Sequence, residues 1–206
     1  LKATNQILTV ACSPDGRMVA AGGAADTERL WDLKTRRLLY TFPKRPIAWN
    51  HPVAFSPDGR TLALSGEKDG SALVLWDVAT RREIARLRGH TNDISSIIFF
   101  RDDRQVVTGC TDGTARLWDV AQRREVRRFS HSDSVYQMAL SADDRLLALG
   151  GGGDLITVFD VGTGQKVTTL RGYTGEITHL QFSPDGKTLL SSDGSGPIHL
   201  WSTTSW

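Results

Sequence analysis

The sequence predicts an all-β fold built from five copies of one unit, each made of short antiparallel strands. Three observations carry that expectation. Trp-Asp recurs at Trp31-Asp32, Trp76-Asp77 and Trp118-Asp119, and Phe159-Asp160 and Trp201-Ser202 continue the series, at spacings of 45, 42, 41 and 42 residues. Ser-Pro-Asp-Gly runs in step with it at Ser13 to Gly16, Ser56 to Gly59 and Ser183 to Gly186. Arg101-Asp102-Asp103 and Ser141-Ala142-Asp143-Asp144 hold the equivalent places in the third and fourth units. Finally, no stretch shows a capped apolar period of 3.6 residues. A fixed period of about 40 residues marks a repeat architecture. The units fall at approximately 1–42, 43–88, 89–129, 130–171 and 172–206, with no linker or low-complexity segment between them.

Each unit opens on an apolar strand. The matching triplets are Ile7/Val10/Cys12, Ile94/Ile97/Phe99, Val135/Met138/Leu140 and Ile177/Leu180/Phe182; the second unit has Asn50/Val53/Phe55, with a polar first anchor. The last two members of each triplet are two apart and share a strand face. In the turn that follows, Pro presets the first dihedral and Gly accepts a positive φ. Asp103 and Asp144 replace that Gly, and Asp is among the few residues that tolerate the conformation. A second strand follows (60–65 and 104–108 in two of the units), then a turn such as Asp112-Gly113. A third strand ends at the Trp, and after a turn such as Thr80-Arg81-Arg82 a fourth strand (83–87 in the second unit) closes the unit.

The chain has 206 residues, 39% of them hydrophobic, with 25 basic against 23 acidic side chains and two cysteines. That length buries a core without a disulfide framework or a structural metal, and the apolar content excludes a disordered tail. No run approaches the roughly 20 apolar residues of a membrane span, and no charged start leads into an apolar leader. A net charge of +2 gives no strong pull toward nucleic acid or acidic membranes.

Four antiparallel strands every 40 to 45 residues, with Gly-His before and Trp-Asp after, resemble the WD-repeat β-propeller family over the whole chain. The third unit is the fullest copy, with Gly89-His90, Thr108, Asp112-Gly113 and Trp118-Asp119. The resemblance implies a hydrogen-bonded chain from Asp112 through His90 and Thr108 to Trp118 that locks the blade; a buried Trp N–H and a buried Asp both need partners. The other units depart from the pattern. The second offers Ser65, Asp69 and Trp76 but no His, and the fourth has His131 with Leu149 and Phe159. The fifth has Tyr173 for His, and the first has Ala3. Those blades are expected to lean on apolar packing. Aligned on the repeat, the chain holds five copies of the first three strands and four of the fourth. The expected architecture is therefore five four-stranded WD-type blades, the last without its outer strand, forming an open arc of a larger ring.

Readings that would give the chain chemistry are weak. Gly150 to Gly153 resembles a phosphate loop, but a strand-like Asp154-Leu155-Ile156-Thr157-Val158 follows where a helix N-terminus is needed. A slack hairpin turn is expected instead. Of the five histidines (His51, His90, His131, His179, His199), two are repeat markers and none lies beside a cysteine pair. Cys12 aligns with Phe55 and Phe99 as a small core residue, and no base is placed for Cys110. No catalytic residue, metal or cofactor is expected, and the chain is not read as an enzyme.

Binding surfaces remain. Arginines cluster at Arg36-Arg37, Arg81-Arg82 and Arg123-Arg124, and continue at Arg86, Arg88, Arg127 and Arg128. They suit either a solvated outer edge or an anion- or nucleic-acid-binding face, although no stacking aromatics are interleaved with them. At the opposite end, the residues that start the first strands form a ring in register: Gln6, Trp49, Asp93, Ser134 and Glu176. Trp49 lies in a stretch with Pro43, Pro46 and Pro52, where it either anchors a partner or packs under its own loop. The family commonly binds peptides and protein surfaces with this face. The expected role is a non-catalytic protein-interaction platform in the cytoplasm, part of a larger multidomain protein. Its partner would be a protein or peptide, with nucleic acid the lesser alternative and no membrane, and self-association would run through the open blade edges.

Overall fold

Each unit folds into its own antiparallel meander because its turns are chemically closed. The computed structural model describes residues 7–23, 28–43, 52–66, 70–194 and 196–206. The first blade is β1 (Ile7–Cys12), β2 (Met18–Gly23), β3 (Arg29–Asp32) and β4 (Leu38–Thr41). The second is β5 (Val53–Phe55), β6 (Thr61–Gly66), β7 (Ala72–Asp77) and β8 (Arg82–Leu87). The third is β9 (Ile94–Phe99), β10 (Gln105–Cys110), β11 (Thr114–Asp119) and β12 (Arg124–Ser130). The fourth is β13 (Val135–Leu140), β14 (Leu146–Gly151), β15 (Leu155–Asp160) and β16 (Lys166–Arg171). The fifth has three strands: β17 (His179–Phe182), β18 (Thr188–Ser192) and β19 (His199–Ser202). Every sheet runs in sequence order, and no helix among the described residues is long and apolar enough to cross a membrane.

The first turn of four blades is a small hydrogen-bonded knot; the third has Phe100 where the others have Ser. Ser13 Oγ donates to Asp15 Oδ1 at 2.6 Å and accepts from the Met18 N–H at 2.8 Å, while the Arg17 N–H donates to the same carboxylate at 3.0 Å. Ser56/Asp58, Ser141/Asp143 and Ser183/Asp185 repeat the knot. Gly16, Gly59 and Gly186 take φ near +70°, and Asp103 and Asp144 take +60° in the same place. The two aspartates also reach back one blade. Asp144 Oδ2 accepts the Arg101 N–H at 3.0 Å, and Asp103 Oδ1 accepts the Asp58 N–H at 2.9 Å. Arg101 stands where three other units carry Pro, so it has an N–H to give; Pro57 has none, and Asp103 bonds the next residue instead.

The Asp of each Trp-Asp pair closes the opposite hairpin. Asp32 accepts from the Thr35 N–H at 2.6 Å, and Asp77, Asp119 and Asp160 do the same with Thr80, Gln122 and Thr163. Arg36, Arg81 and Arg123 sit at positive φ in these turns, where the fourth blade has Gly164. A Cβ at 164 would collide with the Arg127 guanidinium, which crosses from the third blade and donates to the Gly162 carbonyl at 2.9 Å.

The core lies between the blades. Ala20, Leu30 and Phe42 of the first blade pack on Val53, Leu62 and Leu64 of the second. Leu73, Leu75 and Leu87 then meet Ile94, Ile97 and Trp118. Leu117 and Phe129 meet Val135, Met138 and Phe159, and Ile156, Val158 and Leu170 meet Ile177 and Phe182. The first strands of successive blades stand side by side along this series. At its two ends the apolar faces are exposed, at Ile7 and Val10 in the first blade and at Ile198 and Leu200 in the fifth, so the blades form an open arc.

The bond from Asp144 to the preceding blade generates a prediction. Asp144→Ala loses the bond and keeps a side chain at positive φ, and should destabilise by about 1–2 kcal/mol. Asp144→Gly loses the same bond but relieves the backbone, and should cost clearly less. Urea unfolding compares them; equal shifts of the midpoint would show that the turn conformation contributes nothing.

Candidate functional site: the loop face and its hydrogen-bond junctions

The loops at the Gly-His end are set by polar junctions inside the blades. In the third blade His90 is buried, its Nδ1 3.0 Å from Asp112 Oδ2 and its Nε2 2.7 Å from Thr108 Oγ1. Trp118 Nε1–H donates to Thr108 Oγ1 at 2.8 Å. The chemistry fixes the proton order, because an ionised carboxylate only accepts. His90 therefore donates from Nδ1 and accepts at Nε2 from the Thr108 hydroxyl, which in turn accepts from Trp118. Asp112 also accepts from the N–H groups of Thr91 at 3.1 Å and Thr114 at 3.0 Å, and so holds both loops that flank it.

The electrostatics follow from this geometry. Burial opposes the Asp112 charge, but hydrogen bonds from Thr114, Thr91 and His90 outweigh it and hold the carboxyl far below the usual carboxylate range. For His90 burial wins over the neighbouring carboxylate and lowers its pKa. The Cys110 thiol is pushed up to about 12, chiefly by burial. His90, Cys110 and Asp112 bring three metal-ligating atom types within 4.8 Å. Each already has a partner: the thiol donates to the Asn92 carbonyl at 3.1 Å and accepts the Asp112 N–H at 3.3 Å. With all three side chains engaged within the protein, the group reads as a structural junction.

Two other blades keep part of this network in altered form. In the fifth, Trp201 Nε1–H lies 2.9 Å from both Ser191 Oγ and the Tyr173 hydroxyl, which bond each other. Asp193 accepts the Thr174 N–H at 3.0 Å, as Asp112 does that of Thr91. Tyr173 thus takes the histidine's contact with the hydroxyl residue, and this blade does not rest on apolar packing alone. In the fourth, His131 Nδ1 finds Thr157 Oγ1 at 3.0 Å across from Leu149, while its Nε2 is buried without a partner. Burial lowers the pKa of His131 as well. In the second blade the strand register places Leu64, opposite Val74, where Thr108 sits opposite Arg116. Ser65 is one residue too far along, and Asp69 lies outside the described residues.

Asp93 and Ser134 directly precede β9 and β13, and Glu176 lies three residues before β17, at the same end of the arc. Gln6 and Trp49 lie outside the described residues. Bonds to the preceding blade fix the three strand starts: the Ile94 N–H to the Gly70 carbonyl at 3.1 Å, Ser134 Oγ to the Thr111 carbonyl at 3.2 Å, and the Ile177 N–H to the Gly151 carbonyl at 2.9 Å. The glycine run takes part in this lacing and is not a slack turn. Gly150 and Gly151 are strand residues, and a Cβ at 150 would press on Ile177 at 2.9 Å.

Several arginines of the strands are engaged within the protein. Arg86 pairs with Glu83 at 2.6 Å, and Arg116 and Arg128 share Glu125 at 2.7 and 3.1 Å. The sequence reading missed these acid partners, although Arg-Glu at 82–83 and 124–125 was the available signal.

These junctions predict how stability responds to mutation and acid. Asp112→Ala leaves a buried His90 nitrogen unmet and should cost about 1–3 kcal/mol, whereas Asp154→Ala, at an exposed loop position, should cost clearly less. A histidine whose pKa is lower in the fold binds fewer protons folded than unfolded, so stability must fall as pH drops through about 6.5. Urea midpoints should therefore decline from pH 7.5 to 5.5 in the wild type. Equal losses for the two variants, or a midpoint that rises on acidification, would contradict the assigned network.

Comparison with known proteins agrees with this architecture. The family model "WD domain, G-beta repeat" matches residues 81–119 and 164–202. WD repeat-containing protein 1 of Bos taurus is 26% identical over 205 residues, covering 96% of this chain and 34% of that protein. Transcription factor unc-37 of Caenorhabditis elegans is 27% identical over 199 residues, covering 97% and 32%, and Protein groucho of Drosophila melanogaster is 26% identical over 205 residues, covering 98% and 28%. The chain thus spans about a third of the length of the curated relatives it matches. The matched repeats, the ordered antiparallel blades and these relatives together support the WD-repeat family for this chain.

Proposed function

We propose that this chain is a non-catalytic platform that binds a protein or peptide with its loop face, as part of a larger multidomain protein. The observation that carries the reading is the placement of Asp93, Ser134 and Glu176, brought to one end of the arc on strand starts that hydrogen bonds to the preceding blade hold in place. Gln6 and Trp49 are the ring's remaining proposed members. The loops at 89–93, 111–113, 131–134, 152–154 and 172–178 carry Asp93, Asp112, Asp133, Asp154 and Glu176 and no Lys or Arg. The second unit adds Lys44, Arg45 and Lys68 to the sequence of that end, so the acidic stretch belongs to the third to fifth units, where it suits a partner segment with basic side chains. Engaged donors and acceptors at His90, Cys110 and Asp112 support a non-catalytic role. A cytoplasmic location fits two cysteines that are both free.

Selection from a random peptide display library tests the reading. Selected peptides should lose at least tenfold in affinity with Asp93→Lys or Glu176→Lys, and should be unaffected by Arg81→Glu or Arg123→Glu. Binding of oligonucleotides that weakens steeply with salt and is abolished by the two Arg variants, with no peptide selected, would favour the Arg-rich end and overturn the proposal.

A further inference from the structure

The turns at the Ser-Pro-Asp-Gly end are laced from blade to blade by one kind of bond. Between the second and third blades the Asp103 carboxylate accepts the Asp58 N–H, and between the third and fourth the Asp144 carboxylate accepts the Arg101 N–H. The joint between the fourth and fifth blades has the donor without the acceptor. Ala142 stands where Arg101 stands, and its N–H has no hydrogen-bond partner among the described residues. The side chain that would reach it belongs at position 186, which is glycine with φ at +69°. The Thr203 hydroxyl holds this turn in place by donating to the Gly186 carbonyl at 2.6 Å. A Cβ on Gly186 would meet nothing within 4 Å, whereas one on Gly59 would touch Pro14 at 3.5 Å. A cavity of about 400 Å³ lies at this joint, with Arg101, Ala142, Arg145, Gly186 and Trp206 on its walls. Asp143 and Asp185 also line it, but each is engaged in its own turn. Asp143 accepts from Ser141 Oγ and the Arg145 N–H, and Asp185 from Ser183 Oγ and the Lys187 N–H. Asp102 accepts the Arg104 N–H in the same way, and the Asp144 carboxylate is held in that company. A second cavity of about 440 Å³ shares Arg101, Ala142 and Pro184 with the first and adds Leu140, Leu180 and Phe182.

We propose that this joint binds an acidic peptide segment of a partner protein. The carboxylate of an Asp or Glu takes the place that the Asp144 carboxylate takes one joint earlier, accepting the Ala142 N–H beside Arg101 and Arg145. A neighbouring apolar side chain of the same segment enters the second cavity. The precedent within the chain names the chemistry, because a carboxylate is what this turn geometry binds at two other joints. A backbone N–H bonds a charged acceptor more strongly than a neutral one, and two guanidinium groups add charge complementarity. The two cavities share walls, so adjacent side chains of one peptide can fill both. The site lies at the opposite end of the blades from Asp93 and Glu176 and does not rest on the loop-face reading.

A display library of peptides with one fixed Glu among random neighbours is the probe. Selected peptides should favour Leu, Ile or Phe beside the Glu, and should lose at least tenfold in affinity when that Glu is changed to Gln. Gly186→Asp supplies the carboxylate from the chain itself, with the residue that the third and fourth units hold in that place, and should lower affinity at least tenfold. The double variant Arg101→Gln/Arg145→Gln should do the same. Gly16→Asp makes the same backbone change in the first blade and should leave binding unaltered, as should Asp93→Lys. Cooperative urea unfolding shows that each variant folds. A library that yields no binder, peptides indifferent to their Glu, or peptides bound equally well by Gly186→Asp would each overturn the proposal. Selected peptides lost with Asp93→Lys would belong to the loop face and would overturn it as well.

Discussion

The structure depends on the packing of one blade against the next. A four-stranded sheet has two apolar faces and no interior, so a single blade cannot bury its own side chains. Neighbours on both sides convert those faces into core. This explains the near-continuous apolar runs of the middle strands, such as Leu62-Ala63-Leu64, Leu73-Val74-Leu75 and Leu147-Ala148-Leu149, all buried. Strands covered on both faces read this way, whereas strands with one wet face alternate. It also explains the division of sizes within a blade, with Ala20, Ala63 and Ala148 on the trailing side beside the larger Leu30, Leu75 and Val158. Each fully buried Leu or Phe contributes about 1.5–3 kcal/mol, and each internal joint holds several.

The polar junctions act on top of that packing. A net hydrogen bond contributes about 1 kcal/mol, so the chain from Asp112 to Trp118 cannot replace a joint between blades. Its effect is to choose one arrangement: Asp112 ties together the loop before β9 and the turn between β10 and β11. The fourth blade makes the ranking visible. It lacks the Trp and the Ser/Thr, yet Phe159 packs on Phe129 with ring centroids 5.4 Å apart, and the joint forms without a complete polar set.

What was legible in the sequence was whatever a unit encodes within itself. The Trp-Asp period, the serine–aspartate turns and the tolerance of Asp103 and Asp144 for positive φ all follow from local chemistry. Features that need a neighbour were not legible. Gly150 is glycine because Ile177 of the next blade lies over it, and the Arg127 side chain of the preceding blade fills the space beside Gly164. Ser65 misleads because only strand pairing reveals the one-residue offset that puts Leu64 in its place. Tyr173 was read as a lost histidine, since nothing local shows its hydroxyl reaching Ser191 and Trp201. Of the five residues placed on the loop face, Asp93, Ser134 and Glu176 have described positions, while Gln6 and Trp49 lie outside the described residues.

If the core lies between the blades, local stability must depend on how many neighbours a blade has. Native-state hydrogen exchange measures this strand by strand. The account predicts the slowest exchange in β6, β10 and β14, whose blades are covered on both sides, and faster exchange in β2 and β18, whose blades are covered on one. Equal protection across all five second strands, or slowest exchange at either end of the arc, would show that each blade is stable by itself and would contradict the account.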